Sequence, residues 1–379
     1  MLDRTKLVAA LHQVSNKLFI DNALEYEIAL ASWLRLCQDP VLLAKLAQAD
    51  SPWPLPMCVG SLDAVSSISP FMDDYQVLAV DGSQIYPDRH QGTGCFLINI
   101  GSVHLSYSRV RSHVSLSTMP FVYSDLNDQE LTTAGSGGST ELVNNTRSQL
   151  ELKHLLMQAM SIKHARVSSS PLLLMMDGSL IFWHLEGQDR ESKQRAAAPY
   201  MHLLDVLHHE RLWYCAYASM PKNREIINVV RMELCNFDLK NNKYPTVEHV
   251  IDAHLAQLIL EPGMRTPVFK STVSLTDLYP EHAKPHFVYL NVGPELARIE
   301  FPAWIALDSA LVDMLCSISF DQAIKGNGYP VALAEAHEQA VVKAADREFF
   351  YTMLSRMGVD YHQRFIQSRK SIKKRLVGI

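Results

Sequence analysis

Two similar stretches give the strongest indication of the fold: Val77-Leu78-Ala79-Val80-Asp81-Gly82-Ser83 and Leu172-Leu173-Leu174-Met175-Met176-Asp177-Gly178-Ser179. Each is a run of apolar residues typical of a buried strand, and we predict that each strand ends at Asp-Gly-Ser. In open α/β sheets, functional groups collect just beyond the carboxyl ends of strands. If the two strands are neighbours, about 4.8 Å apart, their carboxylates can share one divalent cation. The alternative is a pair of ordinary turns, because Asp-Gly is a common turn dipeptide.

The segments around these stretches predict a mixed α/β sheet flanked by helices. Three strands in succession indicate a meander, and the later alternation of strands with helices places helices on both faces of the sheet. The predicted strands are 77–80, 94–107, 110–124, 171–176, 212–217, 286–291 and 297–301, and the main predicted helices are 141–166, 191–209 and 222–235.

The domain organisation follows from the same pattern. Residues 1–70 are predicted to be a helical N-terminal extension and linker, because apolar residues recur at helical intervals up to Pro40 and prolines then break the chain. Residues 71–345 form the predicted core, with 236–285 as an insertion. Residues 346–379 are predicted to be C-terminal helices with a basic end.

Composition excludes several classes of protein. The chain has 379 residues, of which 47% are hydrophobic, enough for a substantial core. No apolar run approaches the roughly 18 residues of a membrane span. The N-terminus lacks a secretory apolar region, and the six cysteines include no C-x-x-C pair, so neither a zinc ribbon nor a disulfide framework is indicated. We predict a cytoplasmic protein without a membrane partner.

The net charge limits how the chain contacts nucleic acid. With 35 Lys and Arg against 40 Asp and Glu the net charge is −5, unlike that of a protein that coats nucleic acid. Any such contact must use a local patch or a confined channel. The obvious patch is the C-terminal run of Arg364, Arg369, Lys370, Lys373, Lys374 and Arg375. Alternatively, these cations complement the dipole of a solvated helix end.

The predicted helix 141–166 offers a third carboxylate. Arg147 and Glu151 are four residues apart, hence on one face, and Glu151 lies among leucines. Its alternative role is a surface ion pair with Arg147 or Lys153. Glu141 competes as the third carboxylate, although an acid is also expected at a helix start because of the dipole.

Two further groups of residues are candidates. Pro330 suits the first position of a helix, and His337 follows Tyr329 by about 2.2 turns, so both can face one cleft. The alternative is an anchoring aromatic and a histidine satisfied at an interface. Lys222 and Arg224, at the start of the predicted helix 222–235, are candidates for contact with a phosphate backbone, or else solvated cations.

Taken together, these segments resemble the NurA nuclease family, whose members have an RNase H-like fold. The resemblance covers about residues 75 to 345, and the order of its short pieces is what makes it specific. The matching pieces are 80–83, Arg147 with Glu151, 174–179, 298–304, Tyr329-Pro330 and Ala336-His337.

The resemblance implies a manganese-dependent DNA nuclease, with Mg²⁺ as a possible substitute, that works as a 5′–3′ exonuclease and single-strand endonuclease in DNA end processing. It also implies a homodimer docked on a HerA-type hexameric ATPase. The implied catalytic residues are Asp81, Glu151, Asp177, Tyr329 and His337; of these, Asp81, Glu151, Asp177 and His337 are the implied metal ligands. Arg147 joins Lys222 and Arg224 as a candidate for DNA contact.

Two other functions compete with this interpretation. An ATPase of the actin or hexokinase type also has an RNase H-like core and a strand-end Asp-Gly turn. It would need a second phosphate loop downstream, whereas the glycines at 135, 137 and 138 precede the second Asp-Gly-Ser. The second rival is a catalytically inactive adaptor of a ring ATPase. Retention of the candidate site residues argues against it.

Overall fold

The structure is a computed structural model that describes residues 2–18, 21–87, 95–124, 139–165, 170–238 and 246–360. The basic C-terminal run and the glycines at 135–138 lie outside these residues. The helices are α1 (Arg4–Leu18), α2 (Ala23–Gln38), α3 (Pro40–Gln48), α4 (Ser139–Ala165), α5 (Arg190–His209), α6 (Glu225–Leu234), α7 (Asp252–Ile259), α8 (Ala303–Ala306), α9 (Ser309–Lys325), α10 (Val331–Ala340) and α11 (Ala344–Asp360). The strands are β1 (Met57–Val59), β2 (Ser66–Ser67), β3 (Tyr75–Ile85), β4 (Phe96–Tyr107), β5 (His113–Tyr123), β6 (Leu172–Asp177), β7 (Trp213–Ser219), β8 (Met264–Arg265), β9 (Val268–Lys270), β10 (Pro285–Asn291) and β11 (Leu296–Pro302).

These strands form one mixed sheet in the order β1-β9-β10-β11-β7-β6-β3-β4-β5; off this path, β8 pairs with β10 and β2 pairs with β8. Strands β3, β4 and β5 are the expected antiparallel meander. The pairs β3–β6 and β6–β7 are parallel, and the connections between their strands run through α4 and α5. The mixed α/β sheet flanked by helices is therefore confirmed.

The parallel centre of the sheet sets the two Asp-Gly-Ser tripeptides side by side. The last registered pair between β3 and β6 is Val80 with Met176, so Asp81 and Asp177 come next on both strands. Because successive side chains alternate between the faces of a sheet, both carboxylates leave it on the same face. The two strands are neighbours, as the shared-cation interpretation requires.

One prediction about these strands is wrong. Strand β6 ends at Asp177, but β3 does not end at Asp81-Gly82-Ser83; it continues to Ile85. The reason is the partner strand, because β4 pairs with β3 as far as Ile85 opposite Leu97 and keeps the backbone extended. Asp81 therefore lies within a strand, not at a turn.

Helices cover both faces of the sheet. Val77, Ala79 and Met175 point to the face that packs on α9 and α10, whereas Leu78 and Leu174 point to the face that packs on α4 and α5. Asp81 and Asp177 follow the first group in the alternation and so emerge beside α10. Glu151, on α4, approaches from the opposite face.

The N-terminal residues and the predicted insertion pack together at one side of the sheet. Ala29, Trp33 and Leu36 of α2 share a core cluster with residues of α6, α7 and β10. Strand β1 pairs with β9, and β2 pairs with β8. These segments therefore complete the sheet on this side. None of the helices in the described ranges combines the length and the apolar character of a membrane-spanning segment.

Candidate metal centre

Asp81 is fixed on β3 by its own backbone and by a histidine from α10. Its Oδ1 accepts a hydrogen bond from the Gly82 amide at 2.8 Å, and its Oδ2 lies 2.8 Å from His337 Nδ1. Pro330 is the N-terminal cap of α10, one position earlier than the sequence suggested. The His337 side chain is 65% exposed while that of Asp81 is 21% exposed, so the imidazole stands between the carboxylate and solvent.

Asp177 is paired with the tyrosine that precedes α10. Tyr329 Oη donates to Asp177 Oδ1 at 2.8 Å, and its ring meets the Tyr217 ring edge to face at a centroid distance of 5.6 Å. Burial raises the pKa of Tyr329, and the neighbouring carboxylates of Asp177 and Asp81 raise it further. The phenol is therefore protonated at neutral pH and acts as a hydrogen-bond donor.

Glu151 reaches this edge of the sheet from α4 because residue 82 is glycine. A Cβ at Gly82 would lie 2.6 Å from Glu151 Oε1 and 2.9 Å from Arg147 Cγ, closer than real Cβ contacts occur. The Arg147 Nε lies 3.3 Å from Glu151 Oε1, and Arg147 Nη1 donates to Gln84 Oε1 at 3.0 Å. Because Gly82 has no side chain, Glu151 approaches the two aspartates through the space that a Cβ would fill.

The three carboxylates are close enough to disturb one another. Burial, together with the negative charges of Asp81 and Asp177, raises the pKa of Glu151 to about 8 against the lowering effect of Arg147. Asp81, Glu151 and Asp177 line one cavity of about 230 Å³ together with Arg147 and Ser179. A pKa of about 8 leaves Glu151 largely protonated at neutral pH, so the crowding of the three acids is a repulsion that a bound cation would relieve.

Such a donor set fits a divalent cation. Carboxylate oxygens are the ligands of Mg²⁺ and Mn²⁺, and an imidazole suits Mn²⁺ better. Among the described residues, however, no group of three or more His, Cys, Asp or Glu side chains is spaced to hold a metal ion as it stands. Asp81 is turned toward His337, Asp177 toward Tyr329 and Glu151 toward Arg147.

Other residues singled out in the sequence lie elsewhere. Glu141 is ten positions before Glu151 on α4, about 15 Å along the helix, and Gln188 Nε2 donates to it. Lys222 and Arg224 line a separate, open cavity of about 1000 Å³. Arg224 Nη2 donates to the Val247 carbonyl at 2.8 Å, whereas the side chain of Lys222 is exposed.

Sequence reasoning missed a buried charge network next to this centre. Glu300 accepts hydrogen bonds from the Ser179 hydroxyl and the Leu180 amide, both at 2.7 Å, and pairs with Arg298. The available signal was the pair of opposite charges two positions apart within the apolar stretch Leu296–Pro302, since such a pair shares one face of a strand.

Comparison with known proteins places the chain in a family. A model of the NurA domain matches residues 75–342. Among solved structures, a crystal structure of NurA has a TM-score of 0.41 at 9% identity, covering 76% of this chain and 90% of that one. A crystal structure of NurA with manganese has a TM-score of 0.39 at 11% identity, covering 82% and 95%. A crystal structure of NurA bound to dAMP and manganese has a TM-score of 0.36 at 10% identity, covering 91% and 95%.

The comparison with curated proteins returns no match. The family model includes β3, β6, α4 and α10, the elements that carry the three carboxylates and His337. It spans well over half of the chain, which therefore belongs to the NurA family.

Proposed function

We propose that this protein is a metal-dependent deoxyribonuclease that hydrolyses phosphodiester bonds. The observation that supports it is the meeting of Asp81, Asp177 and Glu151 at one edge of the sheet, where the Gly82 gap admits the third acid. Membership of the NurA family supports the same reaction. A phosphodiester carries a negative charge that three carboxylates alone would repel, so the reaction requires a cation between them.

Asp81, Glu151, Asp177 and His337 are the residues that would hold the metal. A divalent metal at such a site activates a water nucleophile and relieves charge on the scissile phosphate. We propose Mn²⁺, with Mg²⁺ as an alternative, since His337 adds a nitrogen donor to a set of oxygen donors. Glu141 is not part of this set, because its partner Gln188 holds it away from the other acids.

Tyr329 orients Asp177, and His337 orients Asp81 and can transfer a proton. The protonated phenol of Tyr329 fixes one oxygen of Asp177 and leaves the other free to bind. His337 presents one ring nitrogen to Asp81 and its exposed edge to solvent. An imidazole in that position can give a proton to a leaving oxygen or take one from a water.

We infer that three cations contribute to DNA contact in different ways. Arg147 lines the cavity of the carboxylates and is the closest to a scissile phosphate. Lys222 is exposed at the rim of the larger cavity and would contact the backbone away from the cleaved bond. Arg224 has the weakest support, because its guanidinium is engaged with the Val247 carbonyl.

The partners are also proposals. Family membership suggests a homodimer docked on a HerA-type hexameric ATPase, working in DNA end processing. The supporting surfaces are exposed apolar side chains on two elements. On α1 they are Leu7, Val8, Leu11 and Val14, and on the edge strand β5 they are Val114, Leu116, Met119 and Val122.

The test of the nuclease is an assay with end-labelled linear and circular single-stranded DNA in Mn²⁺, Mg²⁺ or EDTA. The purified protein should release label only with a divalent metal, and Asp177→Asn should abolish the release. Asp73→Asn is the matched control, since it changes an equally small acid whose side chain is 78% exposed and pairs only with Arg109 at the surface.

Failure of cleavage with every metal, both alone and with a HerA-type ATPase added, would contradict the nuclease and favour an inactive adaptor. Cleavage that appears only with the ATPase would support a nuclease that depends on its partner. Calorimetry with ATP would separate either result from an ATPase.

A further inference from the structure

A buried arginine lies on the face of β11 opposite to the one that packs on α9 and α10. Arg298 is fully buried, and its Nη2 donates to Glu225 Oε1 while its Nε donates to Glu300 Oε1, both at 2.7 Å. Its guanidinium stacks on the Phe287 ring at 3.6 Å. The residue opposite Arg298 on β7 is Ala218, a small residue on the same face of the sheet. Arg298, Glu225 and Glu300 thus form a buried ion network on this face of the sheet.

The second oxygen of Glu300 leads from this network to the metal centre. Glu300 Oε2 accepts hydrogen bonds from the Ser179 hydroxyl and the Leu180 amide, which lie two and three residues after Asp177. Ser179 Oγ in turn accepts from the Ile181 amide at 3.0 Å and from Trp183 Nε1 at 3.2 Å. The turn that follows Asp177 is also held by the Gly178 amide, which donates to the Tyr217 carbonyl at 3.0 Å, and by the Tyr279 hydroxyl, which donates to the Leu180 carbonyl at 2.5 Å. Glu300 is the buried carboxylate that accepts from both Ser179 and Leu180 in this turn.

Stability alone does not account for buried ions at this place. Apolar residues of similar volume are often as stabilising as a buried ion pair, because removing charges from water is costly. An apolar residue at position 300, however, could not accept the two hydrogen bonds of the turn. Arg298 donates to Oε1 of Glu300, so Oε2 is left to accept from both donors of the turn. The network supplies directed hydrogen bonds at the turn, which apolar packing cannot provide.

We propose that Glu300, paired with Arg298, is a positioning residue that fixes the turn after Asp177 and thereby sets the direction of the Asp177 carboxylate. The proposal rests on the proposed function above for its catalytic consequence. Its structural part, the restraint of residues 178–185 by Glu300, holds for the metal-free protein as well. Glu300, which is 1% exposed, thus connects the buried Arg298 to the turn that follows Asp177.

The test compares two isosteric substitutions, Glu300→Gln and Glu225→Gln. Each replaces one of the two carboxylates that pair with Arg298 by a neutral amide. An amide at position 300 has one acceptor oxygen, so it cannot accept hydrogen bonds from both Arg298 and the donors of the turn. An amide at position 225 satisfies both neighbours, because the second oxygen of Glu225 contacts the Ser271 hydroxyl, which can accept as well as donate. Glu225→Gln is therefore the matched control for loss of buried charge.

The first readout is hydrogen exchange of the peptide 178–185 in the metal-free proteins. Glu300→Gln should speed this exchange at least about tenfold, whereas Glu225→Gln should leave it within about threefold of wild type. Equal exchange in the two variants, whether both slow or both fast, would overturn the proposal. Because no metal or DNA is present, this readout stands even if the protein proves not to be a nuclease.

The second readout concerns metal and rate. Glu300→Gln should weaken Mn²⁺ binding and lower kcat by about 10- to 100-fold, the range seen when an outer partner of a ligand is lost, with KM for DNA little changed. Loss of kcat that follows thermal stability equally in both Gln variants would mean a structural role and contradict the proposal.

Ser179→Ala keeps the proposal falsifiable if Glu300→Gln does not fold. It removes only the hydroxyl and leaves intact the ion network and the hydrogen bond from the Leu180 amide to Glu300. Exchange of 178–185 should rise and kcat should fall, both less than in Glu300→Gln. Unchanged exchange and rate in Ser179→Ala would contradict the claim that the turn is held through this side chain.

Discussion

The two Asp-Gly-Ser tripeptides are identical in sequence and differ in what each residue does. Gly178 has a φ of +89° and turns the chain, and a Cβ there would meet nothing within 4 Å. Gly82 lies in an extended strand, and a Cβ there would collide with Glu151. Gly178 is required because the backbone has a positive φ there, and Gly82 is required because Glu151 occupies the space of a side chain. The same residue thus meets two independent physical demands at equivalent points of neighbouring strands.

The serines differ in the same manner. Ser83 Oγ donates to the Ala340 carbonyl at the end of α10, which ties β3 to the helix that carries His337. Ser179 Oγ donates to the buried Glu300 and supports the turn after β6. Only the aspartates are alike in position, since they leave the sheet side by side, and we propose that they serve one metal site. A repeated motif therefore indicates a shared site through its acids, while its other residues are specialised locally.

The largest effect that separates the two copies concerns their glycines. Gly82→Ala should lower the cleavage rate about 100-fold, because displacing a catalytic group by about 1 Å has a cost of that order. Gly178→Ala should lower the rate less than tenfold and instead reduce the free energy of unfolding by about 1 kcal/mol, since alanine is strained at positive φ. Initial rates and urea unfolding measure the two effects.

An asparagine at each position sharpens the contrast. Asn tolerates positive φ better than Ala, so Gly178→Asn should recover part of the lost stability. Gly82→Asn should be no more active than Gly82→Ala, because its side chain is larger. Equal rate losses at 82 and 178 would mean that Gly82 does not serve the approach of Glu151.

The next effect is on metal affinity and pH. The pKa of Glu151 is raised to about 8, so a metal ion must displace its proton at lower pH. Mn²⁺ affinity should therefore rise by about tenfold from pH 6 to 7 and by about fivefold from pH 7 to 8. Titration calorimetry at pH 6, 7 and 8 measures it, and Glu151→Gln should weaken binding and flatten the dependence. A steep dependence that persists in Glu151→Gln would assign the proton to another group.

The raised pKa also has a consequence for stability without metal. An acid whose folded-state pKa exceeds its unfolded value stabilises the fold at low pH, and this contribution is lost as pH rises toward the folded pKa. For Glu151 the window runs from the ordinary glutamate pKa of 4.5 to about 8. The thermal shift produced by Mn²⁺ should therefore grow across that window.

A smaller effect distinguishes the partners of the two aspartates. Tyr329→Phe removes the hydrogen bond to Asp177, and His337→Gln removes the imidazole beside Asp81. Each should lower kcat by about 10- to 100-fold, with His337→Gln also shifting the preference from Mn²⁺ toward Mg²⁺. Rates in both metals provide the measurement. An unchanged ratio of the two rates in His337→Gln would exclude His337 as a ligand.

The smallest effect is expected away from both copies. Lys222→Ala should weaken DNA binding a few-fold and reduce the slope of log affinity against log salt by about 1, as for one lost phosphate contact. Lys6→Ala, which removes an 87% exposed cation on α1, is the control and should leave the slope unchanged. Binding of labelled single-stranded DNA to the Asp177→Asn protein measures both, and equal slopes would exclude Lys222 from the DNA path.

The sequence predicted the central sheet because its strands have strong apolar runs. The runs that became β3, β6, β7, β10 and β11 were all found, and β4 and β5 followed from their alternation with turns. The short strands β1, β2, β8 and β9 were not predicted, because two or three residues carry too weak a pattern. Their pairing depends on distant segments that only the folded chain brings together.

The site was predicted in part for the same reason. A repeated Asp-Gly-Ser placed Asp81 and Asp177 together, but the local sequence of β3 could not reveal that the strand continues to Ile85. Continuation depends on pairing with β4, a tertiary contact that overrides a turn dipeptide. The sequence favoured Glu151 and left Glu141 as an alternative, and it could not reveal that Glu151 lies against Gly82, which depends on the position of α4 in the fold.

The most direct test of the account is Mn²⁺ titration calorimetry on four proteins: wild type, Asp81→Asn, Asp177→Asn and the double variant. If the two copies of the motif hold the same ion, each single substitution should remove most of the binding free energy, and the double variant should be no weaker than the weaker single one. Wild-type affinity in either single variant, or losses that add independently in the double variant, would contradict a shared metal centre.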